Sequence, residues 1–360
     1  MDRFSVNNNI VKASIVTLAL LATGAVLVIG RDFIYPVCLA ILFSYLIYPL
    51  TSFLENYISS KILATLLSVI LGVIVIAGAF FFIYLQLSDF LKDFSQLKAQ
   101  ANENFNRFND SIPILFDSQK NLNTAIQNIL GAQENFLAKV LNATTGTLIG
   151  LGIQPVYVYF MLYYRKHFEE FIYNITNSNY HDKVSTILKE IASVTKNYVS
   201  GVFIVVLILC FLNSIGLMII GVKYAVMFGV ISAFMNFIPY FGTLIGGAIP
   251  LLYTVVSPEP EKALGVIILF VIIQFTENNI LTPNITGGRV AINPLFTIFT
   301  IIIGGLAWGL PGMFIFVPFV GMLKVIFEHI EPLKPVAQVI SPANPDQSGP
   351  LISWIKKRIK

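Results

Sequence analysis

Apolar residues fill this chain in long blocks separated by short polar joints, and the block lengths decide what each can be. Ala13 to Gly30, Phe33 to Leu50, Ile62 to Leu85, Ala143 to Tyr164, Gly201 to Gly221 and Ala263 to about Leu281 each match a single helical membrane span. The first block is too long for a signal-peptide hydrophobic region and leads straight into the second, so it is expected to be retained. Two further blocks, Tyr224 to Val256 and Pro294 to Phe327, are too long for one span, and each is interrupted near its middle. The first is broken by Phe237-Ile238-Pro239-Tyr240-Phe241-Gly242, the second by Gly304-Gly305-Leu306-Ala307-Trp308-Gly309-Leu310-Pro311-Gly312. An arm of about 14 residues rises only ~21 Å and cannot cross a ~30 Å hydrocarbon core. Each block is therefore expected to be a re-entrant hairpin or a single kinked span. Broken backbone at membrane depth is stable only where it is buried in protein or lines a cavity, so the breaks point to a substrate site.

Between the spans the pattern changes to helical amphipathicity. Leu87, Phe90, Phe94, Leu97, Ala101, Phe105, Phe108 and Ile112 recur at spacings of three and four, predicting a helix that continues out of the third span and ends at Pro113. Leu122, Ile126, Ile129, Leu137 and Val140 mark a return helix. Two readings of this pair stand: the stripes bury against each other, or they face neighbouring protomers. Arg165 to Lys196 carries a third stripe, Val184, Ile187, Leu188, Ile191 and Tyr198, expected to lie at the membrane surface or against another subunit.

Composition agrees with the pattern. The chain has 360 residues, of which 56% are hydrophobic and 12% charged, with a mean hydropathy of +0.77; a soluble domain carries about twice that charge. The net charge of +4 reflects Lys and Arg at span ends rather than a nucleic-acid surface. Arg165-Lys166 and the tail Lys356-Lys357-Arg358-Ile359-Lys360 are expected on the cytoplasmic side, which places both termini inside and residues 86–142 outside. That outer region has five Lys/Arg against six Asp/Glu, as an outer segment should. Cys38 and Cys210 both lie in apolar runs, with neither disulfide nor metal-ligand spacing.

Chemistry concentrates after residue 200. Six charged residues fall between Gly201 and Gly321, and Lys223, Glu259, Glu261 and Lys262 stand at block boundaries. Glu277 comes ~21 Å into the sixth span by helical rise, within Gln274-Phe275-Thr276-Glu277-Asn278-Asn279 and ahead of Pro283. A carboxylate at that depth marks a functional site unless it is an interfacial group paired with Arg289, and the residues leave both readings open. Asn236 adjoins the first break, where freed carbonyls and half-helix ends can hold ions or polar groups. Asn213, in mid-span, is expected to bond a neighbouring helix. Gly242, Gly246 and Gly247 allow close backbone approach. The candidate ligand-lining set is Asn236, Pro239, Tyr240, Gly242 and Thr243 at the first break; Gln274, Glu277, Asn278, Asn279 and Pro283 on the sixth span; and Gly304, Gly305, Gly309 and Gly312 at the second break. There is no nucleotide-binding loop, no nucleophile–base constellation and no cofactor motif, so an enzyme is not expected.

Asn197-Tyr198-Val199-Ser200-Gly201, Phe237-Ile238-Pro239-Tyr240-Phe241-Gly242-Thr243 with Gly246 and Pro250, and Glu277-Asn278-Asn279-Ile280-Leu281-Thr282-Pro283 together resemble the autoinducer-2 exporter family, also called PerM-like permeases. Gly287, Asn293-Pro294, Gly304-Gly305, Gly309, Gly312 and Pro318 extend the match. The chain departs from the family pattern at Asn293, where relatives often carry His, and at Gly287-Gly288-Arg289, where Gly-Lys is more usual. The resemblance implies an inner-membrane carrier with two re-entrant hairpins, assembled as a homo-oligomer, with pentamers expected. It also implies export of small polar molecules such as autoinducer-2 or, in some members, sodium/proton exchange.

The expected fold is an all-α polytopic bundle with two broken hairpins and elevator-like scaffold and transport parts. Its divisions are scaffold spans over 1–85, an outer helical hairpin over 86–142, the fourth span and cytoplasmic helix over 143–200, the transport core over 201–328 and a cytoplasmic tail over 329–360. The expected function is secondary export of a small polar solute, with a coupling proton or sodium as the accompanying ion. The lipid bilayer and further copies of the chain are the expected partners. A cation/proton antiporter working through Glu277, and a non-transporting scaffold or receptor working through the outer hairpin, are the alternatives.

Overall fold

The computed structural model describes residues 8–111, 152–238, 242–285 and 292–342. The described residues form helices and turns, with no strand among them. In order these are α1 (Asn8–Ile29), α2 (Arg31–Tyr57), α3 (Lys61–Ser111), α4 (152–163), α5 (Arg165–Ile175), α6 (His181–Ile220), α7 (Ala225–Met235), α8 (Gly242–Val256), α9 (Lys262–Thr276), α10 (Thr282–Ile285), α11 (Pro294–Trp308), α12 (Leu310–His329) and α13 (Lys334–Ile340). A π-helical turn, Glu277–Leu281, joins α9 to α10. Among the described residues five helices are long and apolar enough to cross a membrane, whereas α7, α8 and α11 are apolar but shorter. The protein is an all-α, multi-pass membrane protein.

The third span runs on as one helix to Ser111, as its stripe predicts. The return helix expected over residues 122–140 lies outside the described residues. The stretch Arg165 to Lys196 is not one helix: α5 ends at Ile175, and Asn177 starts a 3-10 turn by accepting a hydrogen bond from the Asn179 N–H. The chain then re-enters helix at His181 and continues without interruption into the fifth span, so α6 is 40 residues long. The polar run Asn177-Ser178-Asn179 offers the backbone local hydrogen bonds that compete with the helix, and it overrides the apolar stripe on either side.

This long α6 sets the level of every other element. Its far end packs Leu217 with Ala225, Phe228 and Val266, and its middle packs Val205, Val206 and Leu209 with Ala233 and Ile273. Helix α7 therefore runs antiparallel to it. At the near end, Glu190, Ser193 and Val194 face Lys324, Val325 and Glu328 of α12. Helices α2, α3 and α4 are fixed to one another at that same charged end, where Arg165 pairs with Glu55 at 2.6 Å and the Lys61 ammonium donates to the Tyr163 carbonyl at 2.8 Å. Deeper in, the Thr51 and Ser68 hydroxyls bond across α2 and α3 at 2.7 Å.

Both long blocks fold back on themselves. Helices α7 and α8 pack so closely that a Cβ on Gly246 would lie 2.6 Å from the Ser232 carbonyl oxygen, and one on Gly242 would lie 2.1 Å from that of Met235. Ser232 adds a hydroxyl bond to the Gly246 carbonyl. In the second block Gly309 turns the chain at φ 66°, a conformation glycine adopts at little cost. Gly304 and Gly312 then face each other, and a Cβ on Gly312 would lie 2.0 Å from the Gly304 carbonyl oxygen. The Asn293 side chain and backbone N–H, at the start of α11, bond Val339 and Ile340 beyond the end of α12, so both ends of this hairpin lie together. The hairpins enter from opposite ends of the molecule. The first opens at the far end of α6, the second at its near end.

Because the Gly312 contact is with backbone, which cannot swing aside, Gly312→Ala is expected to cost about 1–3 kcal/mol. Gly78, whose Cβ would meet nothing within 4 Å, should tolerate Ala with a neutral or slightly positive change. Detergent melting temperatures of the two variants check the contrast: Gly312→Ala should melt well below wild type, Gly78→Ala at or above it.

Candidate functional site

The tips of the two opposed hairpins meet beside α6. The last turn of α7 tightens to i→i+3 hydrogen bonds, with the N–H groups of Asn236, Phe237 and Ile238 donating to Ala233, Phe234 and Met235 at 3.0–3.1 Å, and the Gly242 N–H donates back to Ile238 at 2.9 Å. These bonds pair the described N–H groups of the break within the segment itself, as a buried break requires of its donors. The Phe237 ring then stands edge-on to Phe314 of α12 with centroids 5.3 Å apart, and Phe314 stacks on Tyr198 of α6 at 6.2 Å. Ile238 is buried with Leu42, Ile301 and Ile315. Leu42 lies about 20 Å by helical rise from Glu55, at one end of α2, and about 15 Å from Asp32 at the other. The junction thus lies near the middle of the apolar depth.

Glu277 reaches this level on the π-turn, about 22 Å by rise from Lys262. It is 7% exposed. The Asn236 amide donates to Glu277 Oε1 at 2.8 Å. The other carboxylate oxygen, Oε2, is buried and has no hydrogen-bond partner among the described residues. The Tyr198 hydroxyl, on the same face of the core as the junction, is likewise buried and unpartnered among them. A π-turn adds a residue to the helical turn and frees backbone groups, a distortion common at functional sites. A buried carboxyl holding one hydrogen bond is chemically incomplete: the charged form needs a cation or a further donor, and the neutral form needs an acceptor for its proton. This pair of oxygens can therefore hold a proton, a small cation or a polar solute's hydroxyl.

Of the candidate residues, the structure brings Asn236 and Glu277 into direct contact. Thr243 is buried one position after Gly242 at the start of α8. Gln274 is half-buried one turn before Glu277, its carbonyl accepting the Glu277 N–H. Asn278 and Asn279 are exposed, and the Asn279 amide donates to the Phe275 carbonyl of its own helix at 2.8 Å. Gly304, Gly305 and Gly312 make the arm contacts of the second hairpin, and Gly309 its turn. Pro239, Tyr240, the side chain of Pro283 and Arg289, the alternative partner of Glu277, lie outside the described residues. Tyr198 and Phe314 were not among the candidates; an aromatic residue within an apolar run carries the same pattern as ordinary core.

Asn213 does bond a neighbouring helix, its amide reaching the Gly229 carbonyl at 3.4 Å. On the near side of the junction a cleft of about 250 Å³ opens between α6 and α12, lined by Glu190, Ser193, Lys324 and Glu328. Lys324, 7% exposed, pairs with Glu328 at 2.8 Å.

Residues 15–331 match the family model described as AI-2E family transporter. Over 317 residues the chain is 27% identical to a Bacillus subtilis protein named "Putative transport protein YrrI", covering 84% of this chain and 88% of that one. It is 21% identical over 330 residues to YhhT of Escherichia coli K12, named in the same terms, covering 89% and 91%. A shorter stretch of 125 residues, about a third of each chain, is 26% identical to "AI-2 transport protein TqsA" of Escherichia coli K12. A match running from α1 to the end of α12 takes in both hairpins and the Asn236–Glu277 pair between them. The chain belongs to the AI-2E family of transporters.

Proposed function

We propose that this protein is a secondary transporter that exports a small polar solute across the bacterial inner membrane, with the site at the junction of the two hairpin tips. The observation that carries the reading is the Asn236–Glu277 pair. A carboxylate held at mid-depth between two broken helices, with one oxygen unpartnered among the described residues, has a use in a carrier and only a cost in a passive scaffold. The solute would lie against Phe237, Phe314 and Tyr198 and bond Glu277 and the tyrosine hydroxyl. Autoinducer-2, which the name of one relative specifies, fits the class of small, hydroxyl-rich, uncharged solutes such a lining takes. The cleft between α6 and α12 would admit it from the side of Arg165 and Lys61, which we assign to the cytoplasm with both termini.

In an elevator-like cycle, α7–α12 would move against α1–α4, and the opposed hairpins would serve as inner and outer gates. Assembly as a homo-oligomer, a pentamer by family resemblance, would hold the stationary part through the outward-facing apolar surfaces of α1 and α3. The unpartnered Glu277 oxygen also favours a second reading, cation/proton exchange, in which Glu277 alternately carries a proton and a sodium ion.

Glu277→Gln keeps shape and hydrogen-bonding capacity while removing the exchangeable charge. In proteoliposomes with imposed sodium and proton gradients, autoinducer-2 flux should persist without its gradient dependence under the exporter reading, and sodium-driven proton flux should vanish under the antiporter reading. Wild-type flux with unchanged ion dependence in a well-assembled Glu277→Gln protein would remove the carboxylate from the mechanism.

Pro239→Ala combined with Gly242→Ala should favour continuous helix through the first break. The expected result is normal membrane insertion with flux reduced at least tenfold, since a Cβ at Gly242 also meets the Met235 carbonyl. Wild-type flux in the double variant would make the break a packing feature alone.

A further inference from the structure

The third span continues past the bundle, and Asp93 on that continuation reaches the turn where the first hairpin begins. Its carboxylate oxygen Oδ2 accepts hydrogen bonds from both the Lys223 ammonium and the Tyr224 hydroxyl. The Asp89 carbonyl one turn earlier, 3.3 Å from the same oxygen, is the alternative acceptor for that single hydroxyl proton. One turn below, Phe90 packs edge-on against Tyr224 and Phe228, with centroids 5.5 and 6.0 Å apart, and tilted against Tyr253 at 5.9 Å. Leu87 joins the same cluster. The start of the outer helix's apolar stripe, Leu87 and Phe90, thus packs on the first hairpin.

The backbone at this point is held out of its preferred state. Tyr224 has φ 62°, a left-handed conformation that is rare and strained for a bulky side chain. Among the described residues it is the one non-glycine residue with positive φ. Such strain persists only where surrounding contacts hold it, and the contacts here are Asp93, Lys223 and the aromatic cluster. The Lys223 and Tyr224 hydrogen bonds also hold the Asp93 carboxyl below the usual aspartate range, so it stays charged and bonded in mild acid.

We propose that Asp93, Lys223 and Tyr224 form a clasp that locks the α7/α8 hairpin to the third span, and that its release, driven by the strain at Tyr224, is the step that opens the outer side. The proposal rests on the carrier reading for its consequence, but the clasp itself can be tested without transport. At this end the clasp ties the third span to the first hairpin, whereas the cleft beside Lys324 lies at the opposite end. A carrier loaded through that cleft would have to release the clasp to open on the other side.

The test compares Asp93→Asn, Tyr224→Phe and a control, Lys92→Gln, whose lysine pairs with Asp89 on its own helix and does not bridge elements. Backbone hydrogen exchange over residues 221–230 is measured in nanodiscs, and autoinducer-2 flux and sodium-driven proton flux are measured in proteoliposomes. Losing a charge-assisted bond should raise exchange about tenfold in Asp93→Asn, less in Tyr224→Phe and not at all in Lys92→Gln. Whichever flux wild type supports should rise alongside. Unchanged exchange in Asp93→Asn overturns the clasp; raised exchange with unchanged flux leaves a structural tie and overturns the gate. If wild type moves neither probe, that result counts against the carrier reading, and the exchange comparison still decides whether the clasp holds the hairpin.

Discussion

Backbone satisfaction at depth is the constraint on which this architecture depends. An 11-residue and a 15-residue arm rise about 16 and 22 Å, so neither can carry the chain across the apolar layer alone. The breaks between such arms must find hydrogen bonds inside the protein. The chain meets this requirement by turning each block back on itself and closing the break with its own backbone, through i→i+3 bonds at Asn236 to Ile238 and a left-handed glycine at Gly309. Backbones can lie close enough for such turns only where no Cβ intervenes, and Gly242, Gly246, Gly304 and Gly312 occupy those places. The gain comes from packing and backbone fit rather than from the hydrophobic effect, since lipid is as apolar as the arms themselves.

Opposed hairpins solve a second problem. Entering from opposite ends, the tip of the first hairpin lies against the arms of the second, with Phe237 on Phe314 and Ile238 beside Ile301 and Ile315, next to α2 and α6. One carboxyl and one amide suffice to make a polar site there, because water is scarce and each interaction is correspondingly strong. Phe237, Phe314 and Ile238 supply apolar surface beside that pair. Under the proposed function such a site would take a solute that brings its own hydrogen-bonding partners.

Much of this was legible before the fold was known. Block lengths forecast the short arms α7, α8 and α11 but not α12, which at 20 residues is long enough to cross a membrane; glycine and proline forecast the breaks, and the rarity of charge after Gly201 singled out Glu277. Asn236 was identified from its position beside a break. Their contact was not legible, because the two residues are 41 positions apart and on different helices. Nor was the Tyr198 hydroxyl, since the pattern of apolar and polar positions treats tyrosine in an apolar run as filler. The clasp was hidden for a related reason: Asp93 and Lys223 each look like solvated charges at a span end, and 130 residues separate them. The division of the stretch Arg165 to Lys196 at Ser178 was written locally in Asn177-Ser178-Asn179, but the amphipathic stripe around it carried more weight. Local chemistry reached the individual residues, whereas pairings that depend on tertiary packing did not follow from periodicity.

The account stands or falls on the hairpins entering from opposite sides. In a chain with Cys38 and Cys210 replaced, one cysteine is placed at Glu259, beyond the end of α8, and in a second protein at Glu331, beyond the end of α12; both positions are exposed. An impermeant maleimide is added to intact spheroplasts and to permeabilised ones. Labelling of the Glu259 position in both preparations, and of the Glu331 position only after permeabilisation, is the predicted result. Labelling of both positions from the same side would contradict the opposed hairpins and the site between their tips.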